Sequence, residues 1–341
     1  MTDADVLVAG GGPVGLAAAI EARLAGLSAI VAEPRTGPID KACGEGLMPG
    51  ALPALGRLGV RPAGFALHGV DYRDGRRSVQ HRFAHGHALG VRRTALSAAL
   101  RARAAELGVG FSQDRVVEVR QDAGGVTAGG LRARWLLGAD GLHSQVARET
   151  GLARPAPRTR RRFGQRQHFR IEPWTDLIEV HWSPVCEIYV TPTADGSIGL
   201  AVLARRGVRY RDALATVPEL AERIAGAEPV SDLRGAGPFR QRTRTRVAGR
   251  VLLVGDAAGY VDALTGEGIR IGLAQARAAV AALVAGDPAR YEREWEEVTR
   301  EFRRLTGALA GLAASPLRGG IVPAAARLPR VYAGAVERLA R

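Results

Sequence analysis

A glycine turn and an acidic residue near the start of the chain have the spacing of a nucleotide site. The turn reads GGGPVG over residues 10–15, and Glu33 follows it. In a turn of this pattern Gly10 permits the tight bend, Gly12 lets backbone amides approach a pyrophosphate, and Gly15 allows close helix packing. A carboxylate about twenty residues further on accepts hydrogen bonds from a ribose. The spacing therefore predicts that these residues bind the ADP half of a dinucleotide.

The neighbouring segments supply the elements that such a site needs. Residues 6–9 form a short apolar run typical of a buried parallel strand, and residues 16–24 are alanine-rich and helical in pattern. A second apolar run over residues 29–32 ends at Glu33. A glycine-rich turn can also join a strand to a helix for structural reasons alone, but the strand, the helix and the acid together favour the nucleotide site.

A second carboxylate and a second pair of glycines occur in the C-terminal half. Residues 250–254 form another apolar run, which leads into Gly255 and Asp256. Gly266 and Gly268 then precede an apolar segment with a helical pattern. The segment therefore places a carboxylate at the end of a buried strand, followed by a second glycine-framed helix start.

The loop DKACGEG over residues 40–46 collects the rarest residue types of the chain. Lys41 is the only lysine among 48 basic residues, and Cys43 is one of two cysteines. A lysine retained where every other basic residue is arginine indicates a site that needs a compact ammonium group, for phosphate contact or for loop closure. Cys43 fits either a small buried hydrophobe or a residue that lines the active site. It has no cysteine or histidine at metal-ligand spacing, so we expect no metal.

These motifs resemble those of the FAD-dependent oxidoreductases of the p-hydroxybenzoate hydroxylase and geranylgeranyl reductase superfamily. The landmarks follow the family order along residues 6–286: the GGGPVG turn, Arg93-Thr94-Ala95-Leu96 at a helix start, Gly138-Ala139-Asp140-Gly141, and Gly255-Asp256. The loop over residues 40–46 is also similar to the K-x-C-G-x-G of geranylgeranyl reductase-like members. The resemblance implies that FAD is the cofactor.

The resemblance also implies roles for single residues around FAD. Arg35 would lie near the adenosine, and Arg93 and Asp256 would hold the middle of the cofactor. Asp140 would contact the cofactor or only close a structural turn. The helix that begins near Gly268 would direct the positive end of its dipole at the flavin ring, where negative charge forms on reduction.

The implied fold is α/β: a Rossmann-type FAD-binding domain, an inserted antiparallel-sheet substrate domain and C-terminal helices. The expected boundaries are residues 1–65, 92–154 and 246–287 for the FAD-binding domain, 66–91 and 155–245 for the substrate domain, and 288–341 for the helical segment. The chain lacks a second Rossmann pattern, so we expect NADPH or NADH to bind at a transient surface site. The last segment, from residue 305, predicts short amphipathic helices, which fit a lid over the cavity or a weak membrane contact.

Composition excludes several other classes of protein. The net charge is +14, but the arginines are scattered, and the densest run, residues 158–162, resembles a solvated loop, so we expect no nucleic acid partner. Two distant cysteines and no leader pattern indicate a cytoplasmic protein. No window has the length of a membrane span, and stable insertion is not expected. We expect a monomer or a weak dimer with a small-molecule substrate.

The candidate catalytic residues come from a hairpin pattern in the middle of the chain. If residues 183–185 form a three-residue loop, His181 lies opposite Glu187, and Tyr189 follows on the same polar face. The prolines that frame this strand match the P-x-x-Y-x-W-x-F-P pattern of prenyl-reducing members, but the aromatic positions read Glu187, Tyr189 and Thr191. This difference favours a cavity for a substrate with hydroxyl or carbonyl groups. An exposed His–Glu pair without a catalytic role is the alternative.

Two enzymatic functions remain open after these observations. A monooxygenase would use NAD(P)H and O₂ to transfer one oxygen atom to a phenolic or polyketide-like carbon, with His181, Glu187, Tyr189 and Cys43 as the candidate catalytic residues. An ene-reductase or prenyl reductase would deliver hydride to a double bond instead. A protein that merely binds FAD is the non-enzymatic alternative.

Overall fold

The computed structural model describes residues 2–155 and 161–341. Within these residues the strands, in chain order, are β1 (Ala4–Ala9), β2 (Ala29–Ala32), β3 (Gly46–Leu47), β4 (Phe65–Leu67), β5 (Gly69–Arg73), β6 (Ser78–Arg82), β7 (Ala88–Gly90), β8 (Gly110–Ser112), β9 (Arg120–Asp122), β10 (Gly125–Ala128), β11 (Leu131–Gly138), β12 (Ala153–Arg154), β13 (Arg162–Arg170), β14 (Ile178–Trp182), β15 (Cys186–Thr193), β16 (Ser197–Arg205), β17 (Glu228–Pro229), β18 (Arg234–Ala236), β19 (Arg242–Thr243), β20 (Val247–Ala248) and β21 (Val251–Leu253).

Helices cover the sheets and form the C-terminal part of the chain. In chain order they are α1 (Pro13–Leu24), α2 (Ala51–Arg57), α3 (Arg93–Glu106), α4 (Gln145–Glu149), α5 (Tyr210–Ala215), α6 (Pro218–Arg223), α7 (Gly268–Val284), α8 (Arg290–Ala313), α9 (Ile321–Arg327) and α10 (Pro329–Ala340). Short 3-10 helices occur at Gly255–Ala258 and Pro316–Gly320.

The first sheet carries both glycine turns. Its strand order is β20-β21-β11-β1-β2-β8, with β10 paired to β11 and β9 paired to β10. β1 is parallel to β2 and β11, and β11 is parallel to β21. Apolar residues of these strands share one core cluster with residues of α1, α3 and α7. Because the carboxyl ends of parallel strands lie at one edge, the turns after β1 and β21 meet there.

The second sheet is mainly antiparallel. Its strand order is β17-β13-β16-β15-β14-β5-β6, and β18 also pairs with β13. β14 and β5 are parallel, whereas β13, β14, β15 and β16 are joined by antiparallel pairing. One face packs on α5 and α6, and the other shares a core cluster with α9 and α10. The expected α/β fold with an antiparallel sheet and C-terminal helices is confirmed, while the exact domain boundaries stay a prediction.

The register of the β14–β15 hairpin differs from the prediction by one residue. Trp182 pairs with Glu187, and His181 pairs with Ile188. The cause is the loop, because Ser183 N donates to Cys186 O at 3.0 Å and leaves only Pro184 and Val185 between the strands. When the pairing of two strands shifts by one residue, side chains that were expected on the same face of the sheet lie on opposite faces. The predicted pairing of His181 with Glu187 is therefore wrong.

The C-terminal segment forms helices, as the sequence pattern predicted. α8 continues through residue 313, and the chain turns at Pro316–Gly320 before α9 and α10. Within residues 2–155 and 161–341 no single helix has the length and apolar composition to span a membrane. The pair Arg290–Ala313 and Pro316–Arg327, which is bent by 100°, meets that test on length and composition together.

Candidate functional site

A cavity of 840 Å³ runs between the two sheets. Its dinucleotide end is lined by the turn after β1, by Glu33, by Arg93 and by the segment around Asp256. Its substrate end is lined by side chains from β5, β14, β15, β16, α10 and residues 260–264. The loop over residues 40–46 forms part of the wall along this cavity. The sequence motifs from both halves of the chain thus meet in one continuous space.

The glycine turn after β1 is shaped for a ligand that approaches the backbone. Gly10 has a φ of +105°, and a Cβ there would lie 2.7 Å from Ala139 O. A Cβ on Gly15 would lie 1.9 Å from Gly10 O, so close packing of α1 requires glycine. A Cβ on Gly12 would meet only Arg93 Nη2, at 3.8 Å. α1 has no side-chain cap at Gly12, so its first N–H groups are free to receive an anion.

Glu33 lies at the end of β2, as predicted, and is 4% exposed. Its carboxylate accepts hydrogen bonds from Gly11 N at 2.9 Å and from Arg35 Nε at 2.7 Å. Burial opposes ionisation, but the hydrogen bonds from Arg35 and from the backbone hold the pKa of Glu33 below its usual range. A charged carboxylate beside the glycine turn can accept hydrogen bonds from a ribose.

Two cationic side chains and one carboxylate occupy the middle of the cavity. Lys41 Nζ lies 3.6 Å from Asp256 Oδ2, and both side chains are about one-third exposed. Arg93 opens α3, and its Nε is buried without a hydrogen-bond partner among the described residues. These groups line the cavity between the glycine turn and the start of α7. Their contacts with the phosphate and ribityl oxygens of FAD stay a prediction.

The turn before α7 lines the other side of the dinucleotide end of the cavity, which we call the cofactor trough. Gly255 N donates to Gln275 Oε1 at 2.7 Å, and Gly266 has a φ of +71° with open space around a Cβ. α7 begins at Gly268 without a side-chain cap. Glu267 is 1% exposed and pairs with Arg270 at 2.5 Å, and burial raises its pKa to about 7 despite Arg270.

Asp140 has a structural role in the turn after β11. Its carboxylate accepts from Ser144 Oγ at 2.5 Å, from Gln145 N at 2.6 Å and from Val146 N at 3.0 Å. These bonds cap α4, although Asp140 also lines the cavity. The geometry favours the structural alternative for this residue.

The substrate end is mainly apolar, with three tyrosines among its lining residues. Its lining side chains include Val70, Tyr72, Ile178, Val180, Tyr189, Leu203, Phe239, Tyr260, Val336 and Leu339. Tyr189 Oη donates to Leu264 O at 2.8 Å, which leaves its oxygen free to accept. Burial raises the pKa of Tyr189 and Tyr260 well above the usual value, so both stay hydroxyl donors. Cys43, a free thiol of intermediate exposure, also lines the cavity.

Glu187 lies on the cavity-side face of its strand but is engaged in buried ion pairs. It is fully buried, pairs with Arg162, and lies 2.7 Å from Arg318 Nη1. Arg162 Nη1 lies 3.2 Å from Asp262 Oδ1, so Arg162 joins both carboxylates. Burial raises the pKa of Glu187 despite these two arginines. The polar face predicted for the cavity is therefore reduced to Tyr189, because Thr191 instead donates to Gly44 O at 2.8 Å.

His181 lies on the opposite face of the second sheet. Its Nε2 is 3.0 Å from Glu179 Oε2, and its Nδ1 is 3.4 Å from Glu219 Oε1. The neighbours on that face are Cys186, Ile188 and Val190, which pack against α5 and α6. The expectation that His181 and Glu187 together face the substrate is wrong, because the two-residue hairpin loop reverses their relative faces.

Sequence reasoning missed Asp262 and the buried charges of β13. Asp262 is 6% exposed, lines the cavity, and has its pKa raised by burial against the opposing charge of Arg162. Arg162 was assigned to a solvated arginine run, but it is buried, and residues 156–160 lie outside the described residues. A signal was present, because Arg162, Arg166 and His168 share the parity of one strand face. Among the described residues, no cluster of three potential ligand side chains could hold a metal ion.

The fold and the trough define a flavin-binding oxidoreductase. Four features fit FAD. Gly12 has no side chain to block a ligand, and the start of α1 is uncapped. Glu33 is a buried acceptor for a ribose, and Arg93 has an unpartnered nitrogen. The chain belongs to the family described as FAD binding domain, whose model matches residues 3–286. It is therefore an FAD-dependent oxidoreductase of the family that contains both monooxygenases and reductases.

Curated relatives and solved structures agree with this assignment. The chain is 29% identical over 338 residues to the menaquinone reductase of Mycolicibacterium smegmatis, covering 88% of this chain and 81% of that protein. It is 31% identical over 310 residues to the rifampicin monooxygenase of Streptomyces venezuelae, covering 80% of this chain and 62% of that protein. The structure of p-nitrophenol 4-monooxygenase from Pseudomonas putida DLL-E4 has a TM-score of 0.80 at 20% identity, covering 98% of both chains. This last likeness shows the shared fold.

Proposed function

We propose that this protein is a monooxygenase that uses FAD, O₂ and NADPH or NADH to hydroxylate a phenolic or polyketide-like small molecule. The supporting observation is that the cofactor trough is continuous with the substrate end of the cavity, which is mainly apolar and is lined by tyrosine hydroxyls. FAD supplies the oxygen-activating chemistry when it is bound. The protein then has to bind the substrate, exclude water and handle the substrate proton.

Substrate binding in this proposal combines apolar contact with a few hydroxyl contacts. Val180, Leu203 and Phe239 provide apolar and aromatic surface for a ring system. Tyr260 can donate to a substrate oxygen, and Tyr189, whose proton is donated to Leu264 O, can accept from a substrate hydroxyl. Such a lining suits a molecule with several rings and few oxygens, because its apolar area is buried while each oxygen finds a partner.

In this function Asp262, and not His181, accepts the proton of the phenol. Asp262 lines the substrate end, and Arg162 and Leu264 N hold its Oδ1 at 3.2 and 3.1 Å. Its raised pKa brings the carboxyl nearer to the range in which a general base exchanges protons efficiently. Accepting the phenolic proton would increase the electron density of the ring that is hydroxylated.

In this function the C-terminal segment excludes water from the substrate end of the cavity. Val336 and Leu339 of α10 line the cavity, and Tyr332 packs on Tyr72 with ring centroids 5.1 Å apart. Arg318 Nε donates to Ser183 O at 2.5 Å and Nη1 pairs with Glu187. The segment is thus attached to the hairpin next to the cavity, as a lid requires. We further propose a cytoplasmic monomer or weak dimer that receives hydride from NAD(P)H at a transient surface site.

Reduction of a double bond is the second candidate function. The apolar lining of the substrate end favours this function. Glu187 and Thr191 argued against a prenyl substrate in the sequence, but in the structure their polar atoms contact other protein groups instead of the cavity. The menaquinone reductase relative is matched over most of its length. A prenyl or quinone-like substrate therefore stays the alternative to a phenol.

Oxygen uptake and NAD(P)H oxidation measured together separate the two functions. The holoprotein is supplied with a panel of phenols and polyketides and with a prenylated quinone, with catalase present to detect peroxide. A monooxygenase consumes O₂ in proportion to NAD(P)H and to hydroxylated product. Turnover of the prenylated quinone under anaerobic conditions, without turnover of any phenol, would establish the reductase instead.

A further inference from the structure

The loop over residues 40–46 is held to the second sheet at both ends. Asp40, at its start, accepts from Arg166 Nη2, and Glu45, near its end, contacts His168 Nε2. Arg166 Nη2 also lies 3.3 Å from Lys41 O. Both partners belong to β13, so one strand of the substrate sheet holds the loop that carries Lys41 along the cofactor trough.

The contacts on β13 are buried and mutually oriented. The side chains of Arg166, His168 and Glu45 are each 1% exposed. Arg166 Nη1 lies 3.0 Å from His168 Nδ1, and Ser231 Oγ lies 2.9 Å from the same nitrogen. Arginine can only donate, so Nδ1 accepts and Nε2 carries the hydrogen that His168 donates to Glu45. The histidine tautomer is thus set by Arg166.

Glu45 is held in an unfavourable backbone conformation. Its φ is +59°, a left-handed value that costs a non-glycine residue about 1 kcal/mol or more. Its backbone O accepts from Val91 N at 2.9 Å, and its Oε1 accepts from Arg93 N at 2.8 Å. Glu45 therefore connects the loop of Lys41 to the first residue of α3, where Arg93 enters the trough.

We propose that Asp40, Glu45, Arg166 and His168 form a loop clamp that positions Lys41 and Arg93 for FAD. The clamp residues are positioning residues, because the residues they fix line the middle of the trough. One buried carboxylate, Glu45, accepts from the backbone N of Arg93 and belongs to the same loop as Lys41. Loss of the clamp should weaken FAD binding even though the glycine turn and Glu33 remain intact.

The primary test compares two substitutions of His168. His168→Leu removes the hydrogen bonds of both ring nitrogens and should raise the dissociation constant of FAD by about tenfold or more. His168→Gln retains a donor for Glu45 and an acceptor for Arg166, and should stay within about threefold of the wild type. FAD release on dilution of the holoprotein is followed by flavin fluorescence, and the visible flavin spectrum reports a changed environment.

The control is His181→Leu, which removes a buried histidine from the other face of the same sheet. It loses the bond to Glu179 and should lower the melting temperature without changing FAD release or the flavin spectrum. Equal FAD release in the two leucine variants, or unchanged release in His168→Leu, would overturn the proposal.

Two milder variants keep the test decisive if His168→Leu fails to fold. Asp40 is 22% exposed, so Asp40→Asn weakens the pair with Arg166 at little risk to the core. Gly199→Ala adds a Cβ 3.1 Å from Glu45 Oε2 and should displace that carboxylate. Both should speed FAD release, whereas Asp176→Asn, which breaks the exposed pair with Arg82, should not. Unchanged release in both milder variants would also overturn the clamp.

Discussion

The dinucleotide end and the substrate end of the cavity use their polar groups differently. At the dinucleotide end, donors are left available: the start of α1 is uncapped, and Arg93 has an unpartnered nitrogen. At the substrate end, Arg162 and Arg318 are paired with the carboxylates of Glu187 and Asp262 within the protein. The first end is therefore prepared for a charged ligand, and the second for an apolar molecule with a few oxygens. Under the proposed function, this difference would allow one cavity to hold FAD and an apolar substrate side by side.

Filling the dinucleotide end should have the largest effect. The Cβ of Gly12→Leu would have only Arg93 within 4 Å, and its larger side chain would occupy the cavity, so we expect the fold to persist while FAD is excluded. The purified variant should be colourless and take up no FAD when it is supplied. Gly56→Leu is the control, because Gly56 on α2 also has open space around a Cβ and is exposed away from the cavity. Retention of FAD by Gly12→Leu would show that the trough lies elsewhere.

Removing the substrate-end carboxylate should affect turnover and not the cofactor. We expect Asp262→Asn to retain FAD and to lower substrate-dependent oxygen transfer by on the order of a hundredfold, because the proposed general base is lost. Product formation and flavin absorbance measured on the same samples check this. Asp176→Asn, a partly exposed carboxylate outside the cavity, serves as the control. Normal turnover in Asp262→Asn would leave Tyr189, Tyr260 and Cys43 as the candidates.

Breaking the buried charge cluster should destabilise the substrate end. Arg318→Ala leaves Glu187 with Arg162 as its remaining partner, and losing one of two partners of a buried charged group costs about 1–3 kcal/mol. The free energy of unfolding in urea should fall by that order, and uncoupled peroxide formation should rise as the lid loosens. Arg338→Ala, whose side chain is 64% exposed, should change neither quantity. Equal behaviour of the two variants would contradict the role of the cluster.

Glu267 should make stability depend on pH. Burial raises its pKa to about 7, so the native state holds this proton more tightly than the unfolded chain. The stabilisation is complete below about pH 4.5 and is lost as the pH rises through about 7, with a total of up to about 3 kcal/mol. Between about pH 5 and about pH 8, Glu267→Gln should therefore lose less unfolding free energy than the wild type. Parallel pH profiles for the two proteins would show that Glu267 titrates normally.

The smallest functional effect is expected for His181. His181→Ala removes a residue from the face that packs on α5 and α6, so turnover should match the wild type, while stability falls by about 1–3 kcal/mol. Steady-state rates and urea unfolding of the same preparation check both values. A large loss of turnover with intact FAD would mean that the sheet presents its other face to the substrate.

The dinucleotide end could be predicted from the sequence because its parts are close together in the chain. The turn over residues 10–15, β2 and Glu33 form one local unit, so glycine positions and apolar runs determine its geometry. Arg93 at the start of α3 and Asp256 after β21 followed from the family motifs. The Lys41 loop was recognised as unusual, but its attachment to β13 was not.

The substrate end could not be predicted because it depends on register and on distant pairs. The predicted three-residue loop is a two-residue loop in the structure, because Ser183 N donates to Cys186 O. His181 therefore lies on the face of the sheet opposite to Glu187. Arg162 and Asp262 are 100 residues apart in the chain, and residue types alone do not indicate that they meet. Alternation within each strand was right, but alternation cannot determine how two strands are paired.

The most direct test of the proposed function is the fate of isotopically labelled O₂. The holoprotein is given NAD(P)H, labelled O₂ and the best substrate of the phenol and quinone panel, and the product is analysed by mass spectrometry. We expect one labelled oxygen atom in each product molecule, with Asp262→Asn forming the same product more slowly. A product that gains two hydrogen atoms and no labelled oxygen would contradict the monooxygenase and identify a reductase.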